Sequence, residues 1–421
     1  MIQTTTISPG VTLRYVLDTR FKQGCFSFQL VRPMRKEEAA KNALLPAVLL
    51  RGTRKCPDLR AVTQRLDELY GAAVSPLVRR VGDYQTTGVY CGFMDDRFAL
   101  PGDRVLAPML GFLRELLLDS PLENGAFLPD FVESEKKNLI STIESDRNDK
   151  RVYATQRLLR TMCAGDSFGI PRLGEIEDVA AISPEGLTEH YREILRTSPM
   201  ELLYVGSAPE EQVVSAIRPL LDSLAREPMP LSPQTAFVPG PGSDITETLD
   251  VAQGKLCMGF TTPVTNRCAE LPAMQMLNVI FGGGMTSKLF QNVREKMSLC
   301  YSIDASYYGA KGILLVNAGI DFDKEAVTRQ EILTQLEACR KGDITEAEMT
   351  AAREALLSSL RSVPDSPGSI ENFTSTAALS GLVFSRESYM EAVQKVTLED
   401  VVKCAGSVAL NTTYFLKGGS K

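Results

Sequence analysis

Few residues in this chain have types and spacings that could do chemistry, and those few limit what it can do. Of 421 residues, one is histidine, His190. A metal site built in this chain from two or more imidazoles is therefore ruled out, and any nucleophile relay that needs a histidine base must use His190. Ser167 lies in Gly165-Asp166-Ser167-Phe168-Gly169, which matches the G-x-S-x-G pattern of a hydrolase nucleophile. That pattern needs a strand before the serine and a helix after it, so that the sharp turn holds the hydroxyl out. Here MCAGDSFGIPRLG reads as an irregular loop, Pro171 follows too soon for a helix, and His190 stands 190 − 167 = 23 residues away on a predicted helix. Ser167 is read as a loop residue and His190 as an ordinary helix residue. The nine cysteines, Cys25, Cys56, Cys91, Cys163, Cys257, Cys268, Cys300, Cys339 and Cys404, contain no C-x-x-C pair. They give neither a zinc knuckle nor a dithiol redox centre and read as buried, reduced thiols. Gly282-Gly283-Gly284 lacks the G-K-[ST] or G-x-G-x-x-G context of a phosphate cradle and reads as a tight turn before a helix. Asp95-Asp96 and Glu133 with Glu135 read as solvated acidic faces.

The elements that must position any site belong to a globular chain. Apolar residues make up 44% and charged residues 23%, which excludes wholesale disorder. At about 150 residues per domain the length suggests two or three domains. The balance of 46 Lys+Arg against 52 Asp+Glu, a net −6, argues against a phosphate-neutralising surface, so no nucleic-acid partner is expected. The longest apolar runs, such as 44–50, fall far short of the about 20 residues of a membrane span. The opening MIQTTTISPGVTLRYVLDTRF has no basic segment followed by an apolar one. The expectation is a cytoplasmic protein with no membrane partner and no cofactor.

Internal repetition sets the architecture. Residues 23–33 read QGCFSFQLVRP and residues 253–263 read QGKLCMGFTTP, an offset of 253 − 23 = 230. Both alternate like strands and close on Pro. Each is followed by an apolar helical stretch and a glycine turn, LLRGT at 49–53 and IFGGG at 280–284. Later in each half come a long helix (131–143 and 345–360), a capped helix start at Ser183-Pro184-Glu185 or Thr397-Leu398-Glu399-Asp400, and a final strand (201–207 and 412–418). The pattern predicts an α+β fold of two tandem homologous α/β sandwich domains, each a mostly antiparallel sheet with helices on one face. Residues 227–242, EPMPLSPQTAFVPGPG, hold five prolines in sixteen positions and read as an extended linker. The expected domains are 1–228 and 244–421, joined by the Pro-rich linker 229–243.

The second half carries Phe281-Gly282-Gly283-Gly284-Met285-Thr286-Ser287-Lys288-Leu289-Phe290, then Val293-Arg294-Glu295-Lys296, then Leu299-Cys300-Tyr301-Ser302. This resembles the insulinase/pitrilysin family of zinc metallopeptidases, including processing-peptidase subunits, which has a small-residue turn, a Ser-x-Leu-Phe helix, an Arg-Glu-Lys and a Leu-x-Tyr-Ser in this order. The resemblance extends to 344–356, to 173–187 and to the tandem halves. Active members carry H-x-x-E-H on a helix of the first half: two imidazoles four apart share a helix face and bind Zn²⁺, and the glutamate between them is the general base. Counting back from Gly52-Thr53, the matching positions are Ala43, Pro46 and Ala47, and the family's third ligand falls near Ser141-Thr142. The zinc motif is degenerate: these residues neither bind zinc nor activate water. Pro46 in a helix would cost about 3 kcal/mol unless the helix kinks or starts there.

The resemblance also implies what was kept. In active members an Arg and a Tyr from the second half face the zinc across a chamber and help hold substrate and oxyanion. By motif these are Arg294 and Tyr301, a guanidinium and a phenol able to donate to developing negative charge. Ser298 and the strand-like YSIDASYY place Tyr301 at the start of a strand. The expected function is a non-catalytic subunit of a two-component zinc metallopeptidase that closes the chamber and contributes Arg294 and Tyr301 to peptide binding. Its partner would be a homologous zinc-bearing subunit, or a second copy of the chain. The rival expectation is a peptide-binding or scaffold protein with no hydrolytic partner.

Overall fold

The computed structural model describes residues 2–419. The Gln-Gly repeat opens the central strand of each of two sheets. In chain order the strands are β1 (Ile2–Ser8), β2 (Val11–Leu17), β3 (Gln23–Pro33), β4 (Ala73–Val81), β5 (Tyr84–Met94), the short pair β6 (Leu122–Glu123) and β7 (Ala126–Phe127), β8 (Met200–Gly206), β9 (Ser243–Leu249), β10 (Gly254–Thr261), β11 (Cys300–Tyr308), β12 (Ile313–Ile320) and β13 (Ala409–Gly418). Gly24 and Gly254 are required by close approach: a Cβ at Gly24 would meet the Val205 carbonyl oxygen at 2.9 Å, and one at Gly254 would meet the Phe415 ring at 2.9 Å.

The first sheet has the order β1-β2-β8-β3-β5-β4 and the second β11-β12-β10-β13-β9. Every neighbouring pair is antiparallel except β2 with β8 and β9 with β13. Matched strand by strand, β4-β5-β3-β8-β2 has the topology of β11-β12-β10-β13-β9, with the one parallel pair in the same place. The repeat seen at an offset of 230 is thus a repeat of fold, and β1 is an added edge strand. Both capped starts form as expected. The Ser183 hydroxyl accepts from the Gly186 N–H at 3.0 Å, and Thr397 with Asp400 makes a capping box.

The chain divides into two compact units that are not contiguous in sequence. The first comprises Met1–Ile143, Ile170–Pro233 and Val363–Thr376; the second comprises Glu144–Gly169, Gln234–Ser362 and Ala377–Lys421. In the first, Phe26, Phe28 and Leu30 of β3 point into a buried cluster with helices Lys36–Leu49, Leu106–Leu118, Pro184–Thr197 and Glu210–Leu221. The opposite face of β3 lies under residues 367–376, which lead helix Pro367–Ser380. There the buried Glu371 takes two bonds from Arg79, at 3.0 and 2.7 Å, and one from Gln29 at 3.3 Å. In the second unit, helix Lys150–Met162 covers one sheet face with Ala154, Leu158, Leu159 and Met162 against Cys257, Ile313, Leu315, Tyr414 and Leu416. Each sheet therefore takes one helical segment from the other half of the sequence. Within 229–243, residues 229–240 form no regular element. Phe237 is nonetheless buried, its N–H bonded to the Lys311 carbonyl at 2.9 Å.

Candidate functional site

The helix Lys36–Leu49 carries the three degenerate positions. Ala43 and Pro46 are buried and Ala47 is half-buried. Pro46 neither starts nor breaks this helix, which runs on through it. A proline here removes the N–H that would have bonded the Asn42 carbonyl four residues back. The Thr87 hydroxyl of β5 donates to that carbonyl instead, at 2.7 Å. The Asn42 side chain is fully buried and is used as well. Its amide donates to Gln85 Oε1 at 2.9 Å, and its Oδ1 lies 2.7 Å from His190 Nε2, so Nε2 is the donor of that pair. Gln85 in turn donates to the carbonyls of Ala39, at 3.1 Å, and Arg172, at 2.7 Å. Burial pushes the pKa of His190 down to about 4, against the pull of the Glu38 carboxylate. The imidazole is thus neutral and committed to the helix. Ser141 and Thr142 are exposed on helix Pro129–Asn148, and the Thr142 hydroxyl bonds back to the Asn138 carbonyl at 2.9 Å. A zinc ion of the expected type does not fit: methyl groups and a pyrrolidine ring occupy the ligand and base positions, and the nearby imidazole is held by Asn42.

The segment with Arg294 and Tyr301 has the opposite character. Leu289–Lys296 is a π-type helical turn, in which the Met297 N–H reaches the Asn292 carbonyl at 3.0 Å. Arg294 lies on this turn with its guanidinium 4.6 Å from the centre of the Phe290 ring and its Nη1 3.6 Å from a Glu295 carboxylate oxygen. Its side chain is 38% exposed. The chain then reverses through Ser298, whose φ of 51° is left-handed, and enters β11. A bulge separates the pairs Cys300–Ile320 and Ser302–Gly319 and leaves Tyr301 as the extra residue. Tyr301 is 60% exposed, and its hydroxyl donates to Asp321 Oδ1 at 2.9 Å. Lys324 first and then Tyr301 hold the Asp321 carboxyl below its usual range. The sequence pattern therefore brings a cation and a phenol to one surface region of one unit. Asp321 and Lys324 escaped sequence reading, and Ser298 was read only as the break between helix and strand, not as a left-handed residue.

A turn with the same two closing hydrogen bonds exists in the first unit without these side chains, although there Tyr70 (φ 63°) is left-handed too and the strand that follows has no bulge. Helix Leu59–Glu68 leads into the edge strand β4 as Leu289–Lys296 leads into the edge strand β11. There Gly71 N–H bonds the Asp67 carbonyl at 3.3 Å and Ala72 N–H bonds that of Leu66 at 3.1 Å. Here Ser298 N–H bonds the Arg294 carbonyl at 3.1 Å and Leu299 N–H bonds that of Val293 at 3.0 Å. Asp67 thus stands where Arg294 stands, Gly71 (φ 68°) where Ser298 stands, and Val74 where Tyr301 stands.

The remaining candidates are structural. Ser167–Gly169 is a short 3₁₀ turn, and its neighbour Asp166 pairs with the fully buried Lys311 at 3.0 Å. The strand–serine–helix geometry of a nucleophile turn is absent there. Gly282 is a packing glycine, since a Cβ would meet the Ala305 Cβ at 2.6 Å. Among the described residues no disulfide joins the nine cysteines, of which seven are buried. Burial pushes the thiols of Cys25, Cys257 and Cys339 up to about 12, which leaves them inert as nucleophiles near neutral pH. No described helix is long and apolar enough to cross a membrane.

Comparison with known proteins follows the same outline. Residues 181–356 match the family model described as the peptidase M16 inactive domain. A Bacillus subtilis protein described as a probable inactive metalloprotease is 31% identical over 409 residues, covering 97% of this chain and 96% of that protein. An uncharacterized zinc protease of Rickettsia felis is 24% identical over 305 residues, covering 70% of this chain and 72% of that protein. The crystal structure of a conserved protein from Enterococcus faecalis superposes with a TM-score of 0.91 at 24% identity, covering 100% of this chain and 99% of that one.

Proposed function

The chain belongs to the M16 peptidase family, and from that footing we propose that it is the non-catalytic subunit of a two-component zinc metallopeptidase. In this reading a homologous partner carries the zinc and the general base. This chain closes the chamber and binds peptide through Arg294 and Tyr301. Arg294 offers a charged donor to a peptide carbonyl or carboxylate, and Tyr301 offers a ring for the adjoining backbone or side chain. The exposed Met285 and Met297 add apolar contact nearby.

One observation carries the reading. Two turns close with the same pair of backbone hydrogen bonds, and the one in the first unit does so with Asp67 and Val74. Arg294 and Tyr301 are therefore not needed for the turn, and both are accessible. The mostly buried, reduced cysteines support a reducing compartment, such as the cytoplasm. The test is an affinity pull-down of the tagged chain from its own cells, with zinc and peptide cleavage measured on what is recovered. The reading expects a stoichiometric H-x-x-E-H homologue, with zinc and cleavage in the complex. A lone or self-paired chain without either would remove it.

A specific observation favours a second reading, peptide capture without hydrolysis. The Tyr301 proton is already committed to Asp321, so the phenol is not poised to donate to an oxyanion. Peptide binding by the isolated chain, with no such homologue recovered, would select this reading.

A further inference from the structure

Resting on the reading that Arg294 and Tyr301 bind peptide, we infer that Asp321 and Lys324 are the positioning residues that fix the Tyr301 side chain against the turn that carries Arg294. Four contacts make a closed circuit. The Tyr301 hydroxyl donates to Asp321 Oδ1 at 2.9 Å. Asp321 Oδ2 takes Lys324 Nζ at 2.9 Å. Lys324 Nζ also donates to the Ser298 carbonyl at 3.1 Å. The Ser298 N–H returns to the Arg294 carbonyl at 3.1 Å. The circuit ties the end of the π-type turn to the first residues of the edge strand β11.

Its parts are not those that the first turn uses. The equivalent turn in the first unit has Gly71 at the left-handed position of Ser298, after a left-handed Tyr70 whose hydroxyl donates to Asp103 and accepts from the Leu100 N–H. In the second unit that position is a serine, which pays for its φ of 51° in steric strain. Lys324 meets the carbonyl of that strained residue, and the bulge swings Tyr301 out toward Asp321. A free phenol on an edge strand would sample several rotamers. Fixed by Asp321, it presents its ring in one orientation, and less rotamer entropy is lost when a ligand binds. The group that meets the ligand with a donor is then Arg294, with Tyr301 as a wall beside it.

The test uses the full chain and fluorescence anisotropy with a fluorescein-labelled, unstructured peptide of mixed apolar and acidic residues. Arg294→Ala reports on the underlying reading, and Asp321→Ala and Lys324→Met report on the circuit. If the circuit positions the site, each of the latter two weakens binding about tenfold, the loss of one charge-assisted bond. The double variant is then no weaker than either single one, because both break the same circuit, and Lys324→Arg binds within about twofold of the wild type. Asp323→Ala, one turn residue away, serves as a control and leaves binding unchanged. Should Asp321→Ala fail to fold, Lys324→Met carries the test alone. A loss in Arg294→Ala with none in Asp321→Ala or Lys324→Met overturns the positioning role and leaves the peptide reading standing. Losses that multiply in the double variant overturn it too, since they mark independent contacts with the peptide. No binding by the wild type, or undiminished binding by Arg294→Ala, removes the peptide reading and the positioning role with it.

Discussion

The turns 67–74 and 294–301 share two closing hydrogen bonds and one left-handed position, but the first has a second left-handed residue, Tyr70, and only the second runs into a bulge. What the fold needs there can be read from what the two share: a helix end, a positive φ and an edge strand. What it does not need is whatever differs. Asp67 and Val74 in one turn against Arg294 and Tyr301 in the other show that the two shared hydrogen bonds require neither the cation nor the phenol. Helix Lys36–Leu49 is the opposite case. Where the family's zinc chemistry would sit, methyls and a proline fill the space, and Asn42, Gln85, Thr87 and His190 bind the helix to its neighbours. One segment is part of the core, and the other carries groups that the core does not use.

The largest effect should come from forcing chemistry back into the helix. Ala43→His, Pro46→Glu and Ala47→His together place bulk and charge at two buried positions and one half-buried one. We expect a loss of at least about 4 kcal/mol in denaturant unfolding. A triple variant as stable as the wild type would show that the helix is not packed in as described.

Acid should expose the same commitment. The folded-state pKa of His190, about 4, lies below the ordinary imidazole value of 6.5. Above pH 6.5 the residue is neutral folded or unfolded and contributes no pH dependence. As pH falls from 6.5 toward 4, the unfolded chain takes up a proton that the folded one refuses, and stability drops by about 2–3 kcal/mol. Below that window the loss is complete. Unfolding midpoints of wild type and His190→Asn at pH 7 and pH 4 isolate this contribution. Equal acid sensitivity in the two proteins would mean that the imidazole is not held neutral.

Thr87→Val should cost about 1–2 kcal/mol by leaving the Asn42 carbonyl unpaired. In a Pro46→Ala background, where the helix regains its own N–H donor, the same change should cost much less. A double-mutant cycle in thermal unfolding checks this, and additive effects would refute the substitution of hydroxyl for N–H.

Part of this was legible in the sequence. The Gln-Gly repeat could be read because close approach demands glycine at both positions, of the Val205 carbonyl at Gly24 and of the Phe415 ring at Gly254. The caps at Ser183 and Thr397 were readable because their partners lie three residues on. The continuous helix through Pro46 was not, because the compensating donor, Thr87, lies 45 residues from Asn42. Nor was the destination of residues 150–162 or 367–376. A helix's apolar face shows that it docks, but not on which sheet. Arg294 and Tyr301 were found only through their family motif. The Asp321 contact, 20 residues from Tyr301, has no local sign.

The smallest stability effect is expected where the two turns differ. Arg294→Asp with Tyr301→Val, which writes the first turn's residues into the second, should shift stability by no more than about 0.5 kcal/mol, as for exposed positions generally. A loss of several kcal/mol in thermal unfolding would show that the pair is structural after all.

The central claim is that Arg294 works on peptide rather than on the fold, and one measurement meets it directly. Zinc-dependent peptide turnover is measured for the purified complex of this chain with the zinc-bearing homologue that the proposed function requires, wild type against Arg294→Ala, with assembly followed by size-exclusion chromatography. The account predicts intact assembly and turnover lowered by about 10- to 100-fold, the loss of one charged contact made to reacting substrate. Intact assembly with unchanged turnover would contradict it.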